Sequence, residues 1–243
     1  MPKITAIIFD MYDTLVDNDR NRWSDTFDDI ARTQELGVSG QLLGKEWQAA
    51  EEGFKTRRIT PGAPFESYFE GWRATFADAF TRLGVTGDPA AAANKAILDL
   101  SDRQPFPETR KALEVLQESW RTAVLSNADD RYLIPNLQLL GLNFEAVLSS
   151  EAARCYKPLP DLFQTMLRRL GISAAESVYV GDKQFEDVQG AGGVGIHTVW
   201  VNRTGAALDS ALPQPEFQIS SLLELPGILT EASQLRDGPA IGE

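Results

Sequence analysis

Close to its N-terminus the chain carries a short apolar run, Ile4-Thr5-Ala6-Ile7-Ile8-Phe9, which stops at Asp10. A continuous apolar run of strand length, with no alternation of polar residues, is typical of a strand that is covered on both faces. We therefore take this run as the first strand of a sheet that is buried on both sides.

The second half of the chain repeats a pattern of strand followed by helix. Further strands are predicted at 122–125, 144–148, 177–180 and 196–201. Helical stripes separate these runs; Gly141 and Gly171 stop two of the helices, and a short helix is expected around residues 185–191. Alternating strands and helices imply right-handed crossovers and a parallel sheet with helices on both faces, so the predicted fold class is α/β.

Between the first strand and the rest of the sheet lies a long segment of different texture. From about residue 20 to 102 the chain has Ala, Glu, Arg, Trp and Phe at helical spacing. We therefore expect a sheet domain made of residues 1–19 and 103–230, a helical insertion at 20–102, and a flexible tail at 231–243. The aromatic residues of the insertion are expected to pack its interior. Its arginines Arg20, Arg22, Arg57 and Arg58 are expected to be mostly solvated, although one of them could reach a substrate anion.

Length and charge exclude several function classes. The chain has 243 residues, enough for one large domain or a domain with an insertion. Its 23 Lys and Arg against 35 Asp and Glu give a net charge of −12, which opposes binding to nucleic acids or anionic membranes. A single cysteine, Cys155, no signal-peptide pattern and no apolar stretch of about 20 residues predict a cytoplasmic protein without a membrane span.

Polar residues follow the predicted strands at the points where the strands end. In open parallel sheets, ligands bind beyond the carboxyl ends of the strands, so these residues are expected to meet. They are Asp10, Ser126, Asn127, Lys157, Asp182 and Asp187. Three carboxylates, a hydroxyl and an ammonium at one edge would form a site for a divalent cation and a phosphate group.

The residue types at this edge fit a specific chemistry. Mg²⁺ prefers oxygen ligands, usually one or two carboxylates with waters and phosphate oxygens, which Asp10 and Asp182 can supply. A carboxylate can attack phosphorus to give an aspartyl-phosphate if the phosphoryl oxygens are neutralised and positioned. Lys157, Ser126 and nearby backbone amides could do this.

Four segments of the chain, taken in order, resemble the motifs of the haloacid dehalogenase superfamily. They are Phe9-Asp10-Met11-Tyr12-Asp13-Thr14-Leu15-Val16, Leu125-Ser126-Asn127, Tyr156-Lys157-Pro158, and Val180-Gly181-Asp182 with Asp187-Val188-Gln189-Gly190-Ala191. The resemblance covers almost the whole chain. It implies a Rossmann-like core with a helical cap of the C1 type, inserted between the first and second motifs where the insertion lies.

The resemblance also implies roles for single residues. Asp10 would be the nucleophile, Ser126 and Lys157 would hold phosphoryl oxygens, and Asp182 would bind Mg²⁺. The remaining implied roles are metal binding by the backbone carbonyl of Tyr12, support of the metal shell by Asp187, and substrate binding by Thr14 and Asn127. The expected cofactor is Mg²⁺ and the expected partner is a small phosphorylated molecule.

The first motif departs from the pattern of the family phosphatases at Tyr12. Most of them carry a second aspartate there, which protonates the leaving group and then activates water. Asp13 is adjacent, but neighbouring residues that leave a strand point in different directions, so it cannot be assumed to substitute. Loss of general acid-base assistance typically costs 10²–10⁴-fold in rate. A slow phosphatase, or one restricted to good leaving groups, is expected.

Two alternatives to a Mg²⁺-dependent phosphohydrolase of a small phosphomonoester stay open. The Asp10-x-Tyr12-x-Thr14 pattern is similar to that of metal-independent 2-haloacid dehalogenases, which also use an early cap arginine; Arg32 is the best candidate here. A phosphate- or metal-binding protein of low turnover is the second alternative. We give the fourth motif, Gly181-Asp182 with its trailing Asp187, more weight than the first, because a metal carboxylate has a direct chemical consequence.

Overall fold

The computed structural model describes residues 3–18 and 20–234. Its centre is one parallel sheet of six strands in the order β3-β2-β1-β4-β5-β6. The strands are β1 (Ala6–Phe9), β2 (Arg121–Ser126), β3 (Ala146–Ser149), β4 (Ser177–Gly181), β5 (His197–Val201) and β6 (Phe217–Ile219). The predicted α/β class with a Rossmann-like parallel sheet is confirmed.

Ten α-helices surround or extend from the sheet within the described residues. They are α1 (Arg20–Thr33), α2 (Gly40–Arg58), α3 (Tyr68–Leu83), α4 (Pro89–Leu100), α5 (Thr109–Gln117), α6 (Asp130–Leu140), α7 (Ser150–Ala153), α8 (Pro160–Leu170), α9 (Gly190–Gly192) and α10 (Leu225–Gln234). A π-helix, Gln184–Gln189, leads into α9. Two 3₁₀ turns, Ala174–Glu176 and Leu222–Glu224, complete the set.

Strand β1 lies in the middle of the sheet because its side chains are apolar on both faces. All four of its residues are buried, and it pairs with β2 on one side and β4 on the other. One face of the sheet packs on a large core that includes the helices before β2, and the other packs on a smaller core with α8. The carboxyl ends of β1, β2 and β4 therefore lie side by side.

Helices α1 to α4, which we call the insertion, pack mainly on one another. Their interior is aromatic: the rings of Trp23, Phe27, Trp47, Trp72 and Phe76 form a chain of contacts between 5.4 and 6.3 Å. Helix α3 begins with a capping box between Ser67 and Glu70. This agrees with the expected packing of the aromatic residues, while the exact borders of the core and the insertion stay a prediction.

The insertion is tied to the sheet at the start of α3. The buried carboxylate of Asp129, in the loop after β2, accepts hydrogen bonds from the N–H groups of Tyr68 at 2.8 Å and Phe69 at 2.9 Å. Two of the unpaired N–H groups at the helix start are thus satisfied by the sheet domain. The position of α3 above the sheet edge is fixed by this contact.

The last part of the chain differs from the sequence prediction in one strand. Strand β6 is not predictable from the sequence pattern, because it has only three residues and its central Gln218 is exposed. Helix α10 continues to Gln234 and residues 235–243 lie outside the described part, so the flexible tail at 231–243 stays a prediction. The short helix expected around 185–191 is present as the π-helix followed by α9.

Among the residues that the structure describes, no helix has the length and apolarity needed to cross a bilayer.

Candidate active site

Asp10 lies directly after the central strand, at the carboxyl edge of the sheet. Its backbone N–H donates to the carbonyl of Val180 at 2.9 Å, which continues the β1–β4 ladder by one residue. Its side chain is 6% exposed. The hydroxyl of Ser126, the last residue of β2, donates to Asp10 Oδ1 at 2.9 Å. Two neighbouring strands thus bring these two predicted site residues together.

Lys157 is the buried cation of the site. Its Nζ donates to Asp10 Oδ1 at 2.7 Å, to Asp187 Oδ1 at 2.6 Å and to the Tyr179 hydroxyl at 2.9 Å. An ammonium has three N–H donors, so all of them are used. Tyr179 in turn donates to the carbonyl of Leu125 at 2.8 Å. Lys157 is therefore held in one position, with its charge directed at Asp10.

Asn127 orients the loop that carries Lys157. Its Oδ1 accepts from the N–H of Lys157 at 2.8 Å, and its Nδ2 donates to the carbonyl of Lys157 at 3.2 Å. Both polar atoms of its side-chain amide thus bond to the backbone of Lys157. Asn127 also lines the cavity above Asp10, and its role in substrate binding stays a prediction.

The end of β4 supplies the second and third carboxylates. Asp182 pairs with Lys183 Nζ at 2.5 Å, and Asp187 Oδ2 accepts from the N–H of Lys183 at 2.9 Å. A Cβ on Gly181 would lie only 2.4 Å from the Asp187 carboxyl group. The glycine of the fourth motif is therefore required by the close approach of Asp187 to the backbone.

Three carboxylates converge at this edge. Each of Asp10, Asp182 and Asp187 offers an oxygen within 4.8 Å of the others. Mg²⁺ holds its oxygens at about 2.0–2.1 Å, so opposite ligands are about 4.2 Å apart, which is close to the size of this cluster. The predicted metal ligands thus lie together, and hard oxygen donors of this kind fit Mg²⁺ or a similar divalent cation.

Burial makes the negative charge of the cluster costly in the absence of a metal ion. Burial raises the pKa of Asp10 to about 6 although Lys157 opposes the shift, and Asp187 adds to it. Burial likewise raises the pKa of Asp182 to about 8, against the opposing effect of Lys183. Although burial lowers the pKa of Lys157, the charges of Asp10 and Asp187 hold it above its usual value. The buried ammonium of Lys157 does not balance both buried carboxylates, Asp10 and Asp187, and the half-buried Asp182 has only the exposed Lys183 as its partner.

Tyr12 occupies the place of the usual second aspartate and is a neutral phenol. Its hydroxyl accepts a hydrogen bond from Asn136 Nδ2 at 3.0 Å, and its ring lies 5.6 Å from that of Tyr132. Burial raises the pKa of Tyr12 well above its ordinary value. The side chain therefore stays protonated at neutral pH and cannot act as a general base there.

Asp13 lines the same cavity but is held by other groups. Its backbone has a φ of 61°, in the left-handed region that Asp tolerates better than most residues. Its Oδ1 accepts from the N–H of Asn18 at 3.2 Å, and Lys183 Nζ lies 3.9 Å from Oδ2. The carboxylate of Asp13 is thus engaged by Asn18 and lies near Lys183.

Two sequence-based expectations for single residues are not supported by their positions. Thr14, expected to bind substrate, is fully buried and is not among the described residues that line the cavity. Its carbonyl instead accepts from Arg203 Nη2 at 2.8 Å. Arg32, the candidate arginine of the dehalogenase alternative, is 72% exposed and pairs with Asp29 at 2.8 Å, away from the site.

Arg58 was expected on the surface, and this expectation is wrong. Its side chain is 7% exposed, forms an ion pair with Glu186 and donates to the Tyr68 hydroxyl. It also lies over the rings of Phe54 and Tyr156, at 5.8 and 5.2 Å. Sequence carries no signal for this pairing, because Arg58 ends α2 and Glu186 belongs to the π-helix after β4.

A cavity of about 850 Å³ opens above Asp10. Its floor contains Asp10, Ser126, Lys157 and Asp182, and its roof is made by the insertion, including Trp23, Phe27, Trp47, Arg58 and Trp72. A nucleophilic carboxylate, a paired ammonium and a candidate cation site thus face a space large enough for a small organic ester. The arrangement can support displacement at phosphorus or at carbon.

Comparison with known proteins identifies one family of hydrolases. The sequence model of a hydrolase family, described as haloacid dehalogenase-like hydrolase, matches residues 4–195. Haloacetate dehalogenase H-2 of Moraxella sp. (strain B) is 31% identical, over 90% of this chain and 95% of its own. Ribulose-1,5-bisphosphate 5-phosphatase of Halopiger xanaduensis is 29% identical, over 80% of this chain and 83% of its own.

Among solved structures, the putative HAD-hydrolase YfnB from Bacillus subtilis, described as bound to magnesium, superposes with a TM-score of 0.79 at 20% identity. The match covers 94% of this chain and all of that one. At this identity the likeness shows the fold alone. Dehalogenases and phosphatases both occur among the relatives, so the family is shown while the reaction is not decided by similarity.

Proposed function

The chain belongs to the haloacid dehalogenase-like hydrolases, and we propose that it hydrolyses a small phosphomonoester in a Mg²⁺-dependent reaction with Asp10 as the nucleophile. The supporting observation is the cluster of Asp10, Asp182 and Asp187 within 4.8 Å. Displacement of halide from carbon needs no divalent cation, and two further carboxylates beside the nucleophile would repel the carboxylate of a haloacid. A phosphate ester with a divalent cation would use them as metal ligands.

In the proposed reaction the Asp10 carboxylate attacks phosphorus in line with the ester oxygen. A bond from the Asp10 oxygen to phosphorus forms while the bond to the leaving alcohol breaks, and the alcohol takes up a proton from solvent. Water then hydrolyses the aspartyl-phosphate, releasing phosphate and restoring Asp10. Ser126 and Lys157 both donate to Asp10 and are proposed to lie beside the phosphoryl group. Because Asp10, Asp187 and Tyr179 already use the three N–H groups of Lys157, it would act on the phosphoryl oxygens through its charge or by exchanging one of these bonds.

Asp10, Asp182, Asp187 and the Tyr12 carbonyl are the groups proposed to hold Mg²⁺. When bound, the ion would neutralise phosphoryl oxygens and the excess charge of the carboxylates. Lys157 keeps Asp10 ionised and oriented, because it donates to Asp10 and is itself fixed by Asp187 and Tyr179. The buried location of Asp10 limits competing contacts with bulk water.

Tyr12 sets the expected limit of the activity. A neutral phenol that already accepts a hydrogen bond from Asn136 cannot serve as the base that activates water. We therefore expect turnover to rise steeply as the leaving alcohol becomes more acidic. p-Nitrophenyl phosphate, whose leaving group needs little protonation, is the appropriate first substrate.

The test is release of p-nitrophenol by purified protein with MgCl₂ or with EDTA, beside Asp10→Asn and Asp182→Asn. The matched control is Asp78→Asn, an exposed aspartate of α3 that does not line the cavity. Turnover that needs Mg²⁺, Asp10 and Asp182 but not Asp78 is the expected result. Full activity of Asp10→Asn, or activity that is unchanged by EDTA, would contradict the proposal.

A metal-independent 2-haloacid dehalogenase is the second candidate. The observations in its favour are Tyr12 in the first motif and 31% identity to a haloacetate dehalogenase over most of both chains. Against it, each cation that lines the cavity is paired with a carboxylate, which leaves the carboxylate of a haloacid without a partner among the described residues. Chloride release from chloroacetate or 2-chloropropionate in EDTA would support it.

A binding protein of low turnover is the remaining alternative. It would bind Mg²⁺ and phosphate at the same site but show no hydrolysis, because the acid-base group is absent at Tyr12. Tight binding of phosphate by calorimetry, together with turnover gained on Tyr12→Asp, is the combination of results that favours it.

A cytoplasmic location of the protein is proposed from composition alone, because the chain has a single cysteine, Cys155.

A further inference from the structure

The roof of the cavity is a continuous aromatic surface. Trp23 stacks on Trp47 with ring centres 5.4 Å apart and planes at 30°, and Trp72 meets both edge-on at 5.5 and 5.8 Å. All three rings line the cavity above Asp10, together with Phe27 and Tyr68. The indoles contact one another, so they form a wall and not an open cage around a ligand.

Negatively charged side chains outnumber positively charged ones among the residues that line the same cavity. Six carboxylates and four cations line it. In the roof, Lys55 pairs with Glu51 and Glu52, each at 3.0 Å, and Arg58 pairs with Glu186. At the floor, Lys157 and Lys183 pair with carboxylates. A second negative charge on a bound molecule would therefore meet cations that are neutralised and carboxylates in excess.

Two polar groups of the roof lack an acceptor. The indole N–H groups of Trp47 and Trp72 are buried, and no described residue accepts a hydrogen bond from either. Both side chains are almost fully buried, at 4% and 3% exposed. Buried donors are normally paired, but neither nitrogen is accessible from the cavity, so these two groups do not identify a hydrogen-bonding ligand.

We infer that the leaving group of the substrate has a flat, apolar or aromatic body and carries no negative charge besides the reacting phosphate. The inference rests on the proposed phosphatase function. The phosphate lies on the sheet edge, where Lys157 and Ser126 are, and the leaving group lies against the indoles of the insertion. Phosphate esters with a carboxylate or a second phosphate on the leaving group are bound poorly.

Binding is measured best with phosphonates, because their carbon–phosphorus bond is not hydrolysed and leaving-group acidity has no influence. The probes are ethylphosphonate, benzylphosphonate and 4-carboxybenzylphosphonate, as inhibitors of p-nitrophenyl phosphate turnover with Mg²⁺. The inhibition constant of benzylphosphonate is expected to be at least tenfold lower than that of ethylphosphonate. Adding the 4-carboxylate is expected to weaken inhibition at least tenfold.

Variants locate these effects in the roof. Trp23→Leu is expected to reduce the preference for benzyl over ethyl at least threefold, while Phe69→Leu, an aromatic of α3 outside the cavity lining, leaves it unchanged. Glu51→Gln frees Lys55 in part, so the penalty for the 4-carboxylate is expected to fall about fivefold. Glu114→Gln, an exposed change on α5, is its matched control.

Failure of this inference and failure of the proposed function give different results. If p-nitrophenyl phosphate is hydrolysed with Mg²⁺ and 4-carboxybenzylphosphonate inhibits as well as benzylphosphonate, the specificity inference is wrong and the phosphatase stands. Equal inhibition by the ethyl and benzyl compounds overturns it as well. If there is no turnover, binding of the three phosphonates is read from quenching of tryptophan fluorescence; the expected order of affinities then supports the ligand class without the reaction.

Discussion

Asp182 offers a direct test of the carboxylate cluster, because its charge is costly when no metal ion is present. Burial raises its pKa from 3.8 to about 8, and the neighbouring charges of Asp187 and Asp10 add to the rise against Lys183. Between these two pH values the folded protein holds a proton that the unfolded chain has released. The free energy of unfolding of the metal-free protein therefore falls as the pH rises towards about 8.

The size of the effect follows from the shift. About 4 pKa units correspond to roughly 5–6 kcal/mol. Asp182 is itself 10% exposed and lines the open cavity, so water that partly solvates its carboxylate reduces the cost to roughly 2–3 kcal/mol. For a chain of this length 1 kcal/mol changes the melting temperature by about 2–4 °C. Asp182→Asn, which removes the charge, is thus expected to raise the melting temperature in EDTA at pH 8.5 by roughly 4–12 °C.

The assay is thermal unfolding followed by circular dichroism at pH 5 and pH 8.5, with EDTA or with MgCl₂. The gain from Asp182→Asn is expected to shrink at pH 5, where folded Asp182 already holds its proton. Mg²⁺ is expected to stabilise the unchanged protein and to stabilise Asp182→Asn much less. Asp78→Asn is the control. If Asp182→Asn melts lower than the unchanged protein in EDTA at pH 8.5, or if Mg²⁺ stabilises both equally, the reasoning is refuted.

Three further changes test single contacts of the site and its surroundings. Gly181→Ala places a Cβ 2.4 Å from the Asp187 carboxyl group. We expect the free energy of unfolding to fall by about 1–3 kcal/mol and Mg²⁺ binding, measured by calorimetry, to weaken. An unchanged melting temperature would contradict the close approach. Asp129→Ala removes the acceptor of the first two N–H groups of α3. The free energy of unfolding in urea is expected to fall by about 1–3 kcal/mol, and a fall of less than about 0.5 kcal/mol would contradict this contact. Tyr12→Asp is expected to raise turnover of alkyl phosphates more than that of p-nitrophenyl phosphate, at a loss of stability; an equal change for both substrates would argue against a missing acid.

The sheet and the floor of the site are predictable from sequence because both depend on strong, local signals. The uninterrupted apolar run of β1 has no stable alternative to a central, doubly covered strand. In a parallel sheet the residues that follow the strands must meet at one edge, so Asp10, Ser126 and Asp182 are brought together by topology alone. Lys157 comes only after β3 and helix α7, so its position at this edge and its bonds to Asp187 and Tyr179 do not follow from strand order alone.

The roof of the cavity could not be predicted, because it depends on how the insertion is placed above the sheet. The aromatic residues of α1 to α3 give the same helical periodicity whether their rings face the interior or a cavity, and Trp47 and Trp72 do both. Arg58 illustrates the same limit for charge. Its partner Glu186 is distant in sequence, and only the folded chain shows that the pair is buried.

The structure gives a physical reason why the first and fourth motifs can point to different reactions. Tyr12 donates nothing to Asp10; its hydroxyl accepts from Asn136, which also donates to the carbonyl of Leu100 and accepts from the N–H of Arg103. Tyr12 is therefore part of the junction where the insertion returns to the sheet. A residue that serves this junction does not by itself specify metal-free chemistry. On the proposed reaction, leaving-group acidity has to do the work of the missing aspartate, while the carboxylates of the fourth motif still supply the metal site.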